Sequence, residues 1–386
     1  MMSNYTIDYP FCKNDLDNFH TFFHSIHFKL SLFICIFGCI TNILNFIVLT
    51  RKELRTHINY ILAALAISDL LVMLVYVPYA LDYAFHINTR LERLTQGYAS
   101  YIYAHAMLSQ TAHTVSIFLT IILALWRYVS VCHPNKKSAI MKRTLYAIVA
   151  SYVISPLICM PYYMTLGIRS EDVWIFANNQ TEFKGNISEI VDETTVKKFT
   201  KYFVHTSKFY QEHNQAFLWV YSVLIKLIPC ILLTFFSVKL IKTLYEAKRR
   251  KEKLTGGSMS VKLLTKTKQA DRTTRMLIAV LLLFLITEFP QGIMGLLSAV
   301  LHHNFYIHCY QRLGDLMDFL ALLNSSINFI LYCTMSRQFR ETFTKIFLPQ
   351  CLMKNHQIVG NGNGFVEMDS QGKHFETMQD TQMTQL

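Results

Sequence analysis

Apolar residues gather along this chain into long windows from which charge is almost wholly excluded. Leu30 to Thr50, Gly97 to Trp126 and Thr144 to Ile168 contain no Asp, Glu, Lys or Arg. A helix needs roughly 20 apolar residues to cross a bilayer core, so each window reads as a membrane span. Ile58 to Leu81 is interrupted only by Asp69, Asn214 to Val238 only by Lys226, Met276 to Leu301 only by Glu288, and Phe319 to Ser336 by no charge at all. The pattern predicts an all-α membrane protein, a seven-transmembrane helix bundle over residues 28–335, with an outer tail over 1–27. Phe339, Phe343 and Phe347, interleaved with Arg340 and Lys345, predict a short amphipathic eighth helix over 336–348 lying on the membrane lipid. Residues 349–386 form a cytoplasmic tail.

Composition agrees with this division. The chain is 52% hydrophobic and only 16% charged, against about 25% charged in soluble proteins. A soluble enzyme is a poor fit. The formal net charge of +12 raises nucleic acid as a partner, but the charges fall on one side. With an outside N-terminus, the inner segments hold 23 of the 37 Lys and Arg residues, which is the bias that orients membrane proteins. The run Lys248-Arg249-Arg250-Lys251 then reads as a juxtamembrane face near anionic lipid, with no nucleic-acid role. The glycosylation sequons at Asn4, Asn179 and Asn186 all fall in outer segments, as expected for a plasma-membrane protein, and the first 27 residues lack the layout of a cleavable signal peptide. Of the cysteines, only Cys12 and Cys309 face the oxidising side. They are expected to form a bridge from the N-terminal tail to the last outer loop, two free thiols being the alternative.

Polar groups inside a membrane are costly and mark a pathway or a switch. Here they come in a specific order: Asn42, then Leu65-Ala66-Ile67-Ser68-Asp69, then Trp126-Arg127-Tyr128 followed by Pro134, then Pro229, Pro290, and Asn328-Phe329-Ile330-Leu331-Tyr332. This ordered set resembles the rhodopsin-like G-protein-coupled receptors over roughly residues 28 to 347. The departures are informative. Trp126 stands where the family usually has an acid, Phe329 where it has a proline, and Thr287-Glu288 where it has Cys-Trp. Together with Thr287-Glu288-Phe289-Pro290-Gln291-Gly292 and Asn324-Ser325-Ser326-Ile327-Asn328-Phe329, they look like the invertebrate myosuppressin and FMRFamide-type neuropeptide receptors. The family's bridge from the third span to the second outer loop has no cysteines here.

The resemblance implies roles. Asn42, Asp69, Ser116, Asn324 and Asn328 match a buried network that holds sodium in the wider family, with Asp69 as the neutralising ligand. The alternative is a protonated Asp69 bonded to the asparagines with no ion. Arg127 matches the arginine that engages a heterotrimeric G protein, the inhibitory class by resemblance, and Tyr332 closes the last landmark. Asp271 is a candidate to hold Arg127 at rest, or is simply solvated. Lys226 lies three residues before Pro229 and Glu288 two before Pro290, so both should sit at similar depth. An unpaired charge there costs several kcal/mol, which favours an ion pair in place of the family's aromatic switch; a neutral Glu288 is the alternative.

On the ligand side, the third span has no acid for an amine and the seventh no lysine for a retinal Schiff base. What remains is a polar and aromatic rim: Tyr79, Asp82, Tyr83, His105, Gln110, Tyr221, Gln291, Asp315 and Asp318. An amidated peptide ending in Arg-Phe needs a carboxylate for its guanidinium. Asp318 and Asp315 are the first candidates and Asp82 the next, each otherwise a solvated edge acid. The long outer loop from about Gly167 to Asn214 would form a lid. In the tail, Cys351 is a candidate for acylation, Thr384-Gln385-Leu386 fits a PDZ ligand, and Ser and Thr residues offer kinase and arrestin sites. The expected function is a neuropeptide receptor acting through a G protein, with no enzymatic role and no cofactor beyond an allosteric sodium ion. The rivals are a seven-span transporter or channel, or a receptor for a non-peptide ligand; no self-similar halves speak for a transporter.

Overall fold

A computed structural model of the chain describes residues 10–133, 135, 138, 142–176, 182–183, 196–254, 279, 282–301 and 305–347. Asn4, Asn179, Asn186, Asp271 and Cys351 lie outside the described residues. Seven helices are long and apolar enough to cross a membrane: Leu16–Leu49, His57–Phe85, Gln96–Cys132, Thr144–Tyr163, Ala216–Ala247, Leu282–Leu301 and Tyr306–Thr334, spans 1 to 7 below.

Local chemistry fixes several boundaries. Span 2 begins where Thr56 Oγ1 accepts from the Asn59 amide at 3.2 Å, and span 3 where Thr95 Oγ1 accepts from Tyr98 N at 3.3 Å. Each cap satisfies an amide that has no partner within its own helix. Span 2 ends at His86, which takes the left-handed conformation (φ 51°) that stops a helix. Span 1 differs from expectation: its helix runs continuously from Pro10 to Leu49, so most of the expected outer tail is helical. A disulfide between Cys12 and Cys309 and an ion pair between Asp17 and Arg312 at 2.8 Å fasten this extension to the start of span 7.

Two apolar clusters hold the bundle. Leu32, Cys35, Val72, Met73, Tyr76, Ala80, Ala112 and Leu322 join spans 1, 2, 3 and 7, and Ile117, Ala124, Cys230, Leu233 and Phe284 join spans 3, 5 and 6. Small residues set the closest approaches. A Cβ on Gly295 would overlap Ser222 Oγ, and one on Gly292 would come within 3.0 Å of Leu227 and 3.1 Å of Lys226, so span 6 lies directly on span 5 as glycine contacts allow in membranes.

Span 5 is irregular where it matters. Val220–Leu227 is π-helical, a rare form that recurs at functional sites. Tyr221 and Lys226 are five residues apart, which on an α-helix would send them to different faces. The wider π turn brings them together, with Lys226 Nζ 5.9 Å from the Tyr221 ring centre.

The loop expected to form a lid is built of strands beside the helical bundle. Leu166–Phe176 (β1), Glu182–Phe183 (β2) and Val196–Thr206 (β3) form an antiparallel sheet in the order β2-β1-β3, with Leu166 opposite Thr206 and Phe176 opposite Val196. Asp172 accepts from Thr200 at 2.7 Å and pairs with Lys198 at 2.9 Å. Lys198 and Thr200 together hold its carboxyl below the usual value. Beyond span 7, Arg337–Phe347 forms a further helix in which Phe339 is buried against Phe329 and Tyr332.

Candidate ligand cavity and signalling core

Two cavities of about 320 and 270 Å³ open among the outer halves of the spans, and Gln110, Tyr162, Tyr221, Gln291 and Asp318 line both. Gln110, Tyr221 and Gln291 form a polar chain across spans 3, 5 and 6. Tyr221 Oη donates to Gln110 Oε1 at 3.5 Å and accepts from Gln291 Nε2 at 3.2 Å. His105 is oriented by the Val75 carbonyl at 3.0 Å and stacks on Tyr79, with centroids 4.5 Å apart. Tyr83 stacks on Phe28 at 4.7 Å under the Arg93 guanidinium, and it lines neither cavity.

The three rim acids separate sharply. Asp82 is buried and fully engaged: Tyr98 donates to it at 2.6 Å, the Asn88 backbone and side chain at 2.8 and 3.0 Å, and Arg93 Nε lies 3.1 Å away. It ties span 2 to the first outer loop and is not available to a ligand, correcting its place among the rim candidates. Asp315 faces span 1, where His24 Nδ1 lies 2.8 Å from Oδ2, and it lines neither cavity. Asp318 alone of the three opens into both cavities, and it has no hydrogen bond or ion pair among the described residues.

Deeper in the bundle, Lys226 Nζ lies 2.8 Å from Glu288 Oε2, with the two side chains 1% and 0% exposed. A third group completes the cluster: His113 Nε2 stands 3.1 Å from the same oxygen and 3.2 Å from Lys226 Nζ. A neutral imidazole carries one proton, so Nε2 either donates to Glu288 or accepts from Lys226. Donation to Glu288 keeps one ammonium against one carboxylate and leaves no net buried charge. His113 Nδ1 and Glu288 Oε1 then have no partner among the described residues. His113 and Lys226 also line the inner of the two cavities, so the cluster forms its floor.

Toward the inner side, Asp69 is fully buried and accepts from Ser116 Oγ at 2.7 Å and Asn328 Nδ2 at 2.8 Å, one bond on each oxygen. Asn42 reaches the Ser325 carbonyl at 3.0 Å, which ties span 1 to span 7. Asn324 makes no side-chain hydrogen bond among the described residues, so the network runs through Asn328 and the Ser325 backbone instead. The Ser325 side chain also approaches the Asp69 carboxylate, and Asn42 Oδ1 is buried without a hydrogen-bond partner among the described residues. A carboxylate with neighbouring neutral oxygens fits a hard monovalent cation. Trp126 Nε1 donates to Thr144 Oγ1 at 2.9 Å, fastening span 3 to span 4. Arg127 makes no ion pair among the described residues and lies within electrostatic reach of the buried Tyr332.

Several members carry little sequence signal. Arg93 comes from a loop, Tyr162 lies among many aromatics, and His113 is one of several polar residues along span 3. The only available sign for His113 was its placement midway along span 3, at the depth of the other two charges.

The comparisons with known proteins agree with this geometry. The chain is 28% identical over 369 residues to the G-protein coupled receptor dmsr-1 of Caenorhabditis elegans, covering 86% of this chain and 69% of that one. It is 28% identical over 334 residues to the sex peptide receptor of Drosophila melanogaster, covering 83% and 72%. It is 23% identical over 356 residues to the FMRFamide receptor of the same fly, covering 88% of this chain and 58% of that one. The serpentine-type 7TM GPCR chemoreceptor family Srw matches residues 29–350. With seven spans, a cavity between them and a buried polar core in place, the chain belongs to the Srw family of serpentine seven-transmembrane G-protein-coupled receptors.

Proposed function

We propose that this receptor sits in the plasma membrane with its N-terminus outside and binds a secreted, amidated peptide ending in Arg-Phe. The observation that carries the reading is Asp318, a carboxylate open to both cavities and without a partner among the described residues. A guanidinium meets such a group with two parallel charge-assisted hydrogen bonds. Gln110, Tyr221 and Gln291 supply donors and acceptors for the terminal amide, and Tyr162, Tyr306 and Tyr310 wall an aromatic slot for the Phe. Relatives named as sex peptide and FMRFamide receptors support a peptide ligand.

Binding acts by shifting a population between resting and active arrangements, so the peptide must hold the active one better. The cavity floor is the cluster joining spans 3, 5 and 6, whose rearrangement frees the inner end of span 6 and opens Arg127 to a heterotrimeric G protein, the inhibitory class first by resemblance. Asp69 holds a sodium ion in the resting arrangement, and Asp69→Asn should abolish any effect of sodium on agonist affinity.

The test is a panel of amidated Arg-Phe peptides applied to cells expressing the receptor, read by G-protein activation. Activation by one member, lost in Asp318→Asn at equal surface expression, is the expected result. Silence across the panel with the receptor at the surface would remove the ligand class and leave the family assignment standing.

A further inference from the structure

The outer end of span 1 and the start of span 7 are joined by a ladder of contacts running in parallel: Cys12 to Cys309, Asp17 to Arg312, and His24 to Asp315. The last rung contains one group more than it needs. His20 lies one helical turn from His24, its ring stacked at 5.5 Å with 20° between the planes. One nitrogen of each imidazole and one oxygen of Asp315 lie within 4.8 Å of one another. His24 is exposed and the other two are partly so, which leaves the group open to ions from outside.

We propose that His20, His24 and Asp315 form an extracellular zinc site that clasps span 1 to span 7. Two imidazoles four residues apart on one helix face present their nitrogens side by side, and a carboxylate from the facing element completes three ligands with a fourth position open to water. Ligand atoms of a tetrahedral site stand about 3.4 Å apart, given metal bonds of about 2.0–2.1 Å. The three groups reach that spacing by side-chain rotation, with the His24 to Asp315 hydrogen bond exchanged for metal bonds. Imidazole nitrogens favour zinc over calcium and magnesium, which prefer sets made of oxygens alone. Asp315 and Asp318 are three residues apart on one helix. The metal therefore sits about one turn from the carboxylate assigned to the peptide. Any effect of the metal on peptide binding rests on the peptide reading; the binding of zinc does not.

The experiment uses the full-length receptor in lipid nanodiscs without agonist, with thermal unfolding followed in the presence and absence of zinc chloride. A ligand that binds only the folded state raises the apparent Tm, here by about 2–4 °C at saturating zinc. The rise should vanish in the His20→Ala, His24→Ala double variant, return at least in part in His20→Cys, and be absent with magnesium or calcium chloride. The metal-free Tm of each variant shows that it folds. An equal rise in the double variant, an equal rise with magnesium, or no rise in the unaltered receptor would each overturn the site.

Discussion

Lys226 and Glu288 meet at 2.8 Å across the interface of spans 5 and 6, and both side chains are buried. Removing one partner leaves the other as an uncompensated buried charge, at a cost of about 3–5 kcal/mol. Lys226→Met and Glu288→Gln should therefore each lower thermal stability and agonist-driven G-protein activation. The exchange of Lys226→Glu with Glu288→Lys should recover part of both. Recovery of neither, with the exchanged receptor present at the surface, would dissociate signalling from the pair.

Gly295 lies tightly against span 5, where a Cβ would overlap Ser222 Oγ. Gly295→Leu should push span 6 away from span 5 and destabilise the receptor by about 1–3 kcal/mol, as overpacking does. Because Glu288 lies on the displaced helix, the variant should lose signalling along with stability. A thermal melt beside a G-protein assay checks both; unchanged melting would show that the contact gives way easily.

Asp82 and Asp318 carry the same chemistry into different surroundings. Asp82→Asn weakens a buried anchor to Arg93 and should cost about 1–3 kcal/mol of stability, seen as reduced surface expression. Asp318→Asn breaks nothing among the described residues and should leave expression intact while reducing peptide potency. Equal losses of expression in both variants would contradict the distinction.

Trp126 and Thr144 share a hydrogen bond of 2.9 Å between spans 3 and 4. Trp126→Phe and Thr144→Val should each cost about 0.5–1.5 kcal/mol, and the double variant should cost less than their sum. Additive melting shifts would mean that the bond contributes nothing to stability.

Much of this was legible in the linear chain because the membrane makes charge conspicuous. Asp69, Lys226 and Glu288 stand out as the lone charges in apolar windows, and their distances from Pro229 and Pro290 already set Lys226 and Glu288 at similar depth. Cys12 and Cys309 stand out by compartment. What sequence could not provide was tertiary partnership. Asp82, Asp315 and Asp318 look alike in sequence and differ only in what faces them: Arg93 from a loop, His24 from another span, and open cavity. His113 was hidden because nothing in the linear chain sets it apart from the other polar residues of span 3, among them His105, Gln110 and Ser116. The hairpin was hidden because Val196–Thr206 does not alternate cleanly: Lys197 and Lys198 are adjacent, as are Phe203 and Val204. The helical extension from Pro10 carries polar residues throughout its first turns, and tertiary fasteners to span 7, absent from any local pattern, hold it.

The central claim is that Asp318 receives the guanidinium of the peptide, and a double-mutant cycle tests it most directly. An activating amidated Arg-Phe peptide and its citrulline analogue, neutral but of nearly the same shape, would be titrated on the unaltered receptor and on Asp318→Asn. A charge-assisted pair contributes about 1.5–3 kcal/mol, or roughly 10- to 100-fold in affinity. The account predicts that citrulline costs about that much at the unaltered receptor and little at Asp318→Asn. The same loss at both receptors would place the arginine elsewhere and contradict the account.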